Sequence, residues 1–244
     1  MTMEAQKGPL SPAVPAVLPV VDVKRENAGA VTVWLSLEEL GNQPGLDLDA
    51  FVPGRFFMVW IPRMDEKPYA VSYIREDCIG VTVQKRGPFS TRMCEMKPGE
   101  LVGIRGPYGR GYWDVEEHCP GDDVVILGGG CGMAVLAPLA ERLPEATVVQ
   151  GARDADALFF RDRFPEQVVF TDDGSAGTRG FPTEWLRERV DAGKVKAVYS
   201  CGPEQMMVRL AEICREGGVP GQVSLERYMK CGIGVCGQCD CDGR

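Results

Sequence analysis

The C-terminal stretch Cys231-Gly-Ile-Gly-Val-Cys236-Gly-Gln-Cys239-Asp-Cys241 carries four thiols within one short loop. Its C-x4-C-x2-C spacing is that of a [2Fe–2S] ligand loop, and the intervening glycines admit the positive φ angles that turn thiolates and backbone N–H groups inward on one iron pair. A fourth thiolate is required. In the plant-type arrangement it comes from further along; here Cys241 is the nearby candidate, so the module at 223–244 is expected to be incomplete and the chain cut short. A disulfide framework fits poorly with ten cysteines in a long acidic chain without a signal peptide, which point instead to metal chemistry in a reducing cytoplasm. Zinc remains the rival metal, although zinc loops usually pair two C-x2-C knuckles and no second knuckle or partnering histidine accompanies this one.

A second set of residues follows a series of strand-like runs. Val124-Val-Ile-Leu leads into Gly128-Gly129-Gly130-Cys131-Gly132, Thr147-Val-Val-Gln into Gly151-Ala-Arg153, Val168-Val-Phe into Thr171-Asp172-Asp173, and Val198-Tyr-Ser into Cys201-Gly202-Pro203. In an open parallel sheet these turns share the edge where ligands bind. The glycine run would let backbone approach a pyrophosphate at a helix N-terminus, Arg153 would pair with phosphate or ribose oxygens, and Asp172 or Asp173 would accept ribose hydroxyls. Each is weak alone, since glycine runs and Asp-Asp-Gly are also ordinary turns. Their common placement points to nucleotide binding. The two aspartates would repel a 2′-phosphate and Arg153 and Arg179 would attract one, so NADH against NADPH stays open.

These residues need two kinds of scaffold. Before residue 115, β-rich runs at Val31–Leu35, Phe56–Ile61, Tyr69–Ile74 and Ile79–Val83 are separated by Pro and Gly, the pattern of an antiparallel barrel or sandwich. After it, apolar runs beginning near Val124, Thr147, Val168, Lys196 and Gln222 alternate with helical patterns at Ala134–Leu143, Pro182–Val190 and Pro203–Arg215, as a parallel sheet with crossover helices demands. The organisation expected is a flexible leader at 1–20 punctuated by Pro9, Pro12, Pro15 and Pro19, a β unit at 21–115, an α/β unit at 120–222 and the cysteine module at 223–244. His118, the lone histidine, falls in the linker. The 244 residues carry 27 Lys plus Arg against 35 Asp plus Glu, a net charge of −8 that argues against nucleic acid. No apolar run approaches the ~20 residues a transmembrane helix needs.

Across residues 20–240 the chain resembles the ferredoxin-reductase superfamily, and within it the electron-transfer subunits of NAD-dependent, two-subunit dihydroorotate dehydrogenases. The resemblance rests on Lys67-Pro68-Tyr69-Ala70-Val-Ser72, Gly106-Pro-Tyr-Gly109, the glycine run, Thr171-Asp-Asp-Gly-Ser175, Cys201-Gly-Pro203 with Met206-Met207, and the long block Gln222–Cys231. It implies a six-stranded antiparallel FAD-binding β-barrel, a Rossmann-like parallel-sheet NAD domain and a C-terminal [2Fe–2S] module. It implies that Lys67, Pro68, Tyr69, Ala70 and Ser72 face FAD, with Val83 and Gln84 on the strand beneath the flavin. The turn Gly87-Pro-Phe89-Ser90-Thr91 would offer N–H and hydroxyl donors to its phosphate. Lys67 stands where the family has arginine, retaining charge but losing the bidentate fork, and Ala70 replaces a serine. Cys201 would lie beside the nicotinamide; a small buried hydrophobe at a strand end is its plainer reading. Cys78, Cys94, Cys119 and Cys214 show no ligand spacing.

Electron counting joins the parts. A nicotinamide exchanges two electrons as hydride and a [2Fe–2S] cluster one at a time, and flavin converts between them. The resemblance implies an FMN-containing dihydroorotate dehydrogenase catalytic subunit as partner in a hetero-oligomer, with electrons passing through the cluster and FAD to NAD+ in pyrimidine synthesis. The alternatives are a subunit of a ferredoxin:NADP oxidoreductase or sulfide dehydrogenase, and, in another class, a flavin-less zinc-binding regulatory module.

Overall fold

The computed structural model describes residues 15–38, 51–112 and 123–241. Its first part is an antiparallel sheet of seven strands: β1 (Ala16–Asn27), β2 (Ala30–Ser36), β3 (Phe56–Ile61), β4 (Asp65–Ala70), β5 (Tyr73–Ile74), β6 (Cys78–Gln84) and β7 (Leu101–Tyr108), in the order β4-β3-β7-β1-β2-β6-β5. Six strands were expected. The run Tyr69–Ile74 supplies two of the seven, because β4 pairs with β3 at one edge and β5 with β6 at the other. Only residues 71 and 72 separate those strands, so the two sheet edges lie within about 11 Å of each other and the sheet curls back on itself. Its interior holds Leu18, Leu35, Val59, Val83 and Ile104, all essentially inaccessible, closed at one end by Phe89 and Met93 of helix α1 (Pro88–Cys94). Residues 16–20 belong to β1 and correct the expected leader: Pro19 is tolerated in the strand, and residues 1–14 lie outside the described residues.

The second part is a six-stranded parallel sheet, β11-β10-β9-β8-β12-β13, built from β8 (Val124–Gly129), β9 (Thr147–Ala152), β10 (Val168–Thr171), β11 (Thr178–Arg179), β12 (Ala197–Cys201) and β13 (Gly221–Ser224). Every residue of β8 and β12 is buried, as continuous apolar runs in a sheet covered on both faces should be. Helices α2 (Gly132–Arg142), α3 (Pro182–Asp191) and α4 (Glu204–Gly217) are the crossovers. α4 shows the helical period plainly, burying Met207, Leu210, Ile213 and Cys214 and ending at Gly218 in the left-handed region, φ +65°. The expected unit boundary and His118 lie outside the described residues.

The two sheets share a small common core in which Ala30 and Tyr73 of the antiparallel part pack with Met133, Ala137, Phe159 and Phe160 of the parallel part. Among the described residues no helix is long and apolar enough to cross a membrane.

Candidate functional site

A cavity of about 1010 Å³ lies where the antiparallel sheet, the strand ends of the parallel sheet and the cysteine segment meet. That is the upper end of the ~300–1,000 Å³ of ordinary ligand sites. Lys67, Pro68, Tyr69 and Ala70 of β4 and Thr82 and Gln84 of β6 form one wall, with Phe89 and Ser90 of α1 beside them. Side chains alternate along a strand, so Val83 points the other way, into the core of the sheet.

The remaining flavin candidates are placed otherwise. Ser72 is fully buried; its hydroxyl donates to the Gly80 carbonyl at 3.1 Å and pairs with Thr82 Oγ1 at 2.6 Å, so it fastens strands instead of facing the cavity. Thr91 belongs to α1 away from the wall. The Ser90 hydroxyl accepts from the backbone N–H groups of Arg86 and Gly87 at 2.8 and 3.0 Å, so those donors are committed to holding the turn. Lys67 pairs with Asp65 at 2.5 Å and lies 5.3 Å from the centre of the Tyr228 ring. The Asp65 hydrogen bond raises the ammonium's pKa and lowers that of the carboxyl. Burial pushes the Tyr69 phenol up to about 12, leaving it a neutral aromatic wall stacked 6.2 Å from Phe89.

On the parallel side the expected nucleotide turns do fall along one sheet edge, at the ends of β8, β9, β10 and β12. The cavity itself receives only Cys131 and Cys201 from them. Three of the four glycines serve close packing of protein on protein: a Cβ at Gly128 would meet Met133 Sδ at 2.8 Å, at Gly129 Pro203 Cδ at 2.6 Å, and at Gly132 the Cys201 carbonyl oxygen at 2.2 Å. Gly130 differs, with φ +52° and open space around it. Gly202 and Pro203 pack against Met206 and Gly129 in the same way. Arg153, 81% exposed in its side chain, pairs with Asp154 at 2.8 Å, while Asp172 and Asp173 are exposed beside it and Asp173 accepts from Ser175. Burial, aided by Glu226, pushes the Cys201 thiol up to about 12; burial also raises Cys131, whose Sγ lies 3.8 Å from Glu226 Oε1.

The cysteine segment is assembled in part. The Cys231 thiol is drawn down to about 6 by the backbone N–H of Ile233, then by the Cys236 thiol and N–H and the Val235 N–H, the donor-rich setting that thiolate ligands of iron–sulfur sites have. Cys239 and Cys241 face the cavity, and Cys241 interacts with Arg227. Among the described residues no three His, Cys, Asp or Glu side chains are grouped so as to hold a metal ion. Backbone N–H groups hold Cys231 while a guanidinium attracts Cys241. In the metal-free chain, iodoacetamide at pH 7 should therefore alkylate Cys231 ahead of Cys201, which stays protonated. The Cys231 rate should climb as pH rises through about 6 and then level, as peptide mass mapping would read; equal labelling of both residues would refute that order.

Sequence reasoning missed Arg86, Arg110, Tyr112, Glu226, Arg227 and Tyr228, all of which line the cavity. Glu226 to Tyr228 sit inside the long block before Cys231, so proximity to the motif was the available signal. Arg105 was also missed: its guanidinium holds both carboxylate oxygens of Glu66 at 2.6 Å and donates to the Tyr108 hydroxyl and the Cys231 carbonyl, each at 2.9 Å.

No protein-family model matches the chain. It is 42% identical over 200 residues to the probable dihydroorotate dehydrogenase B (NAD(+)), electron transfer subunit of Methanocaldococcus jannaschii, covering 79% of this chain and 74% of that protein. The protein of the same name from Methanothermobacter thermautotrophicus is 45% identical over 201 residues, covering 78% and 72%. Among solved structures, an NADH-dependent reduced ferredoxin-NADP oxidoreductase described for flavin-based electron bifurcation superposes with a TM-score of 0.74 at 26% identity, covering 92% of this chain and 81% of that one. A ferredoxin NADP+ reductase from Neisseria gonorrhoeae, with bound FAD and NADP, shares the fold at a TM-score of 0.69 and 15% identity, covering 87% and 100%.

Proposed function

Because the chain belongs to the family of dihydroorotate dehydrogenase B (NAD(+)) electron transfer subunits, we propose that it carries electrons from an FMN-containing catalytic partner through a [2Fe–2S] loop and FAD to NAD+. The observation that supports this most is the composition of the cavity wall: the curled antiparallel sheet, the strand-end residues Cys131 and Cys201, and Cys239 and Cys241 all reach the same space. A flavin bound there would exchange hydride with a nicotinamide and single electrons with an iron–sulfur centre. On this reading Tyr69 and Phe89 flank the ring system, and Lys67, Arg86, Arg110 and Arg227 supply positive charge for the phosphates. Asp65 and Tyr228 hold Lys67 in place. The nicotinamide nucleotide would lie along the parallel-sheet edge, its ribose toward Arg153, Asp172 and Asp173, with the neutral Cys201 thiol excluding water at the reacting end. Cys231, Cys236 and Cys239 would have to draw together to hold the cluster, with Cys241 the candidate fourth thiolate.

The similarity to the NADH-dependent ferredoxin-NADP oxidoreductase supports a second reading, in which a different partner delivers the electrons. Co-purification separates the two, since an FMN-containing barrel enzyme as partner favours the first. The test of the common core is an anaerobic absorption spectrum of the purified chain with flavin, iron, sulfide and zinc quantified. A flavin spectrum that bleaches within seconds of adding NADH, with about two irons per flavin, is expected. Stoichiometric zinc without flavin would overturn the assignment in favour of a regulatory module.

A further inference from the structure

Arg163, in the loop between β9 and β10, crosses from the parallel part of the molecule to the antiparallel part. Its Nη1 donates to the Ser72 carbonyl at 2.7 Å, its Nε donates to Glu141 of α2 at 2.7 Å, and its guanidinium lies 3.9 Å from the centre of the Tyr73 ring. The Tyr73 ring in turn meets Phe160 edge-on at 5.4 Å, and Phe160 holds a positive φ of 53°. Both ends of this connection lead to the large cavity. Ser72 is hydrogen-bonded to Thr82, which stands in the flavin-side wall; Glu141 sits on the helix whose preceding residue, Cys131, stands in the nicotinamide-side wall.

Stability alone accounts poorly for an arginine at this junction. The side chain is only 11% exposed, and Nη2 is buried with no hydrogen-bond partner. A guanidinium taken out of water with one donor unsatisfied is costly, and a half-exposed partner such as Glu141 returns little of that cost. Its directed bonds do what an apolar side chain cannot: they fix distance and orientation between the two parts, beside the small common core and the longer Asn27–Leu158 and Tyr112–Ser200 hydrogen bonds, each 3.4 Å. Transfer of hydride requires reacting atoms at about 3–3.5 Å, so a shift of an ångström between the two walls is costly to rate.

We infer that Arg163 is a positioning residue that sets the nicotinamide-side wall of the cavity against its flavin-side wall. The inference rests on the proposed electron-transfer function, because it presumes that the two walls hold the two reactants.

The test compares wild type, Arg163→Met and Arg163→Lys by anaerobic stopped flow, following flavin bleaching at increasing NADH. For Arg163→Met the limiting rate should fall at least tenfold and the long-wavelength absorption of the nicotinamide–flavin complex should weaken. Flavin content and half-saturating NADH should stay near wild type, while the thermal midpoint should fall modestly, because the Ser72 carbonyl loses a donor and the half-exposed Glu141 is resolvated. Arg163→Lys, which keeps the charge and one of the two directed bonds, should recover part of the rate. Should Arg163→Met fail to load flavin, Tyr73→Leu removes the facing ring and should lower the limiting rate in the same way. A wild-type limiting rate and absorption band in Arg163→Met, or in Tyr73→Leu where that variant stands in, would overturn the inference alone. A wild-type chain whose flavin NADH does not bleach would overturn the functional reading together with it.

Discussion

Replacing Gly132 with alanine is expected to cost about 3 kcal/mol or more of stability and to abolish bleaching by NADH. The added Cβ would fall 2.2 Å from the Cys201 carbonyl oxygen, 2.4 Å from its carbon and 2.7 Å from the Gly202 nitrogen. All three are backbone atoms of a strand end with parallel partners on both sides, so no side chain can swing away and α2 must move off β12. That movement displaces Cys131 and Cys201 together from the cavity wall. The control is Gly130→Ala two residues earlier, where φ is +52° and nothing lies within 4 Å of the new atom. Only the left-handed backbone is penalised there, at roughly 1–2 kcal/mol. Urea unfolding of both variants, with NADH bleaching of whatever remains folded, checks the pair. Equal losses at the two positions would show that strand-to-helix packing is not what Gly132 provides.

Replacing Arg105 with alanine is expected to release the cysteine loop. The guanidinium is 12% exposed and its Glu66 partner 22%, so removal strands a largely buried carboxylate and leaves the Tyr108 hydroxyl and Cys231 carbonyl without this donor. Breaking a buried pair costs ~3–5 kcal/mol, and the residual exposure here places the loss at about 2–3 kcal/mol. The larger effect is positional, because Arg105 lies 126 residues from Cys231 in sequence and its bond ties the first cysteine to the antiparallel sheet. Iron and sulfide content of the purified Arg105→Ala chain should fall several-fold while flavin content holds. Arg105→Lys should behave nearly as badly, since an ammonium cannot span a bidentate carboxylate and two further acceptors. Unchanged iron content in Arg105→Ala would show that the loop is held by other contacts, such as the approach of Gly232 to Met58 and Tyr108.

Local chemistry made much of this molecule legible from its residues. The apolar runs at Val124, Thr147 and Val168 open strands at the expected residues because strands buried on both faces must be continuously apolar, and α3 begins at Pro182 because proline suits the first turn of a helix. The common edge of the four strand-end turns followed from the parallel topology, which alternating strands and helices demand. The pairing of Tyr69–Ile74 with opposite sheet edges did not follow, because a run of alternating residues says nothing about which neighbour each half will find.

The amino-acid sequence by itself determined the two sheet types and the cysteine spacing, which depend on periodicity and residue type within a dozen positions, while the expectation that Lys67 to Ala70 line a site came from the family resemblance. Only the tertiary structure decided that Ser72 fastens strands, that Gly128, Gly129 and Gly132 admit neighbouring protein atoms, and that Arg105 and Arg163 join distant parts. The physical reason is that hydrogen bonds and close packing outside the local period, from Thr82 ten residues beyond Ser72 to Cys231 126 residues beyond Arg105, leave no periodic trace in the chain. They exist only once both sheets have formed and brought Ser72 to Arg163 and Cys231 to Arg105.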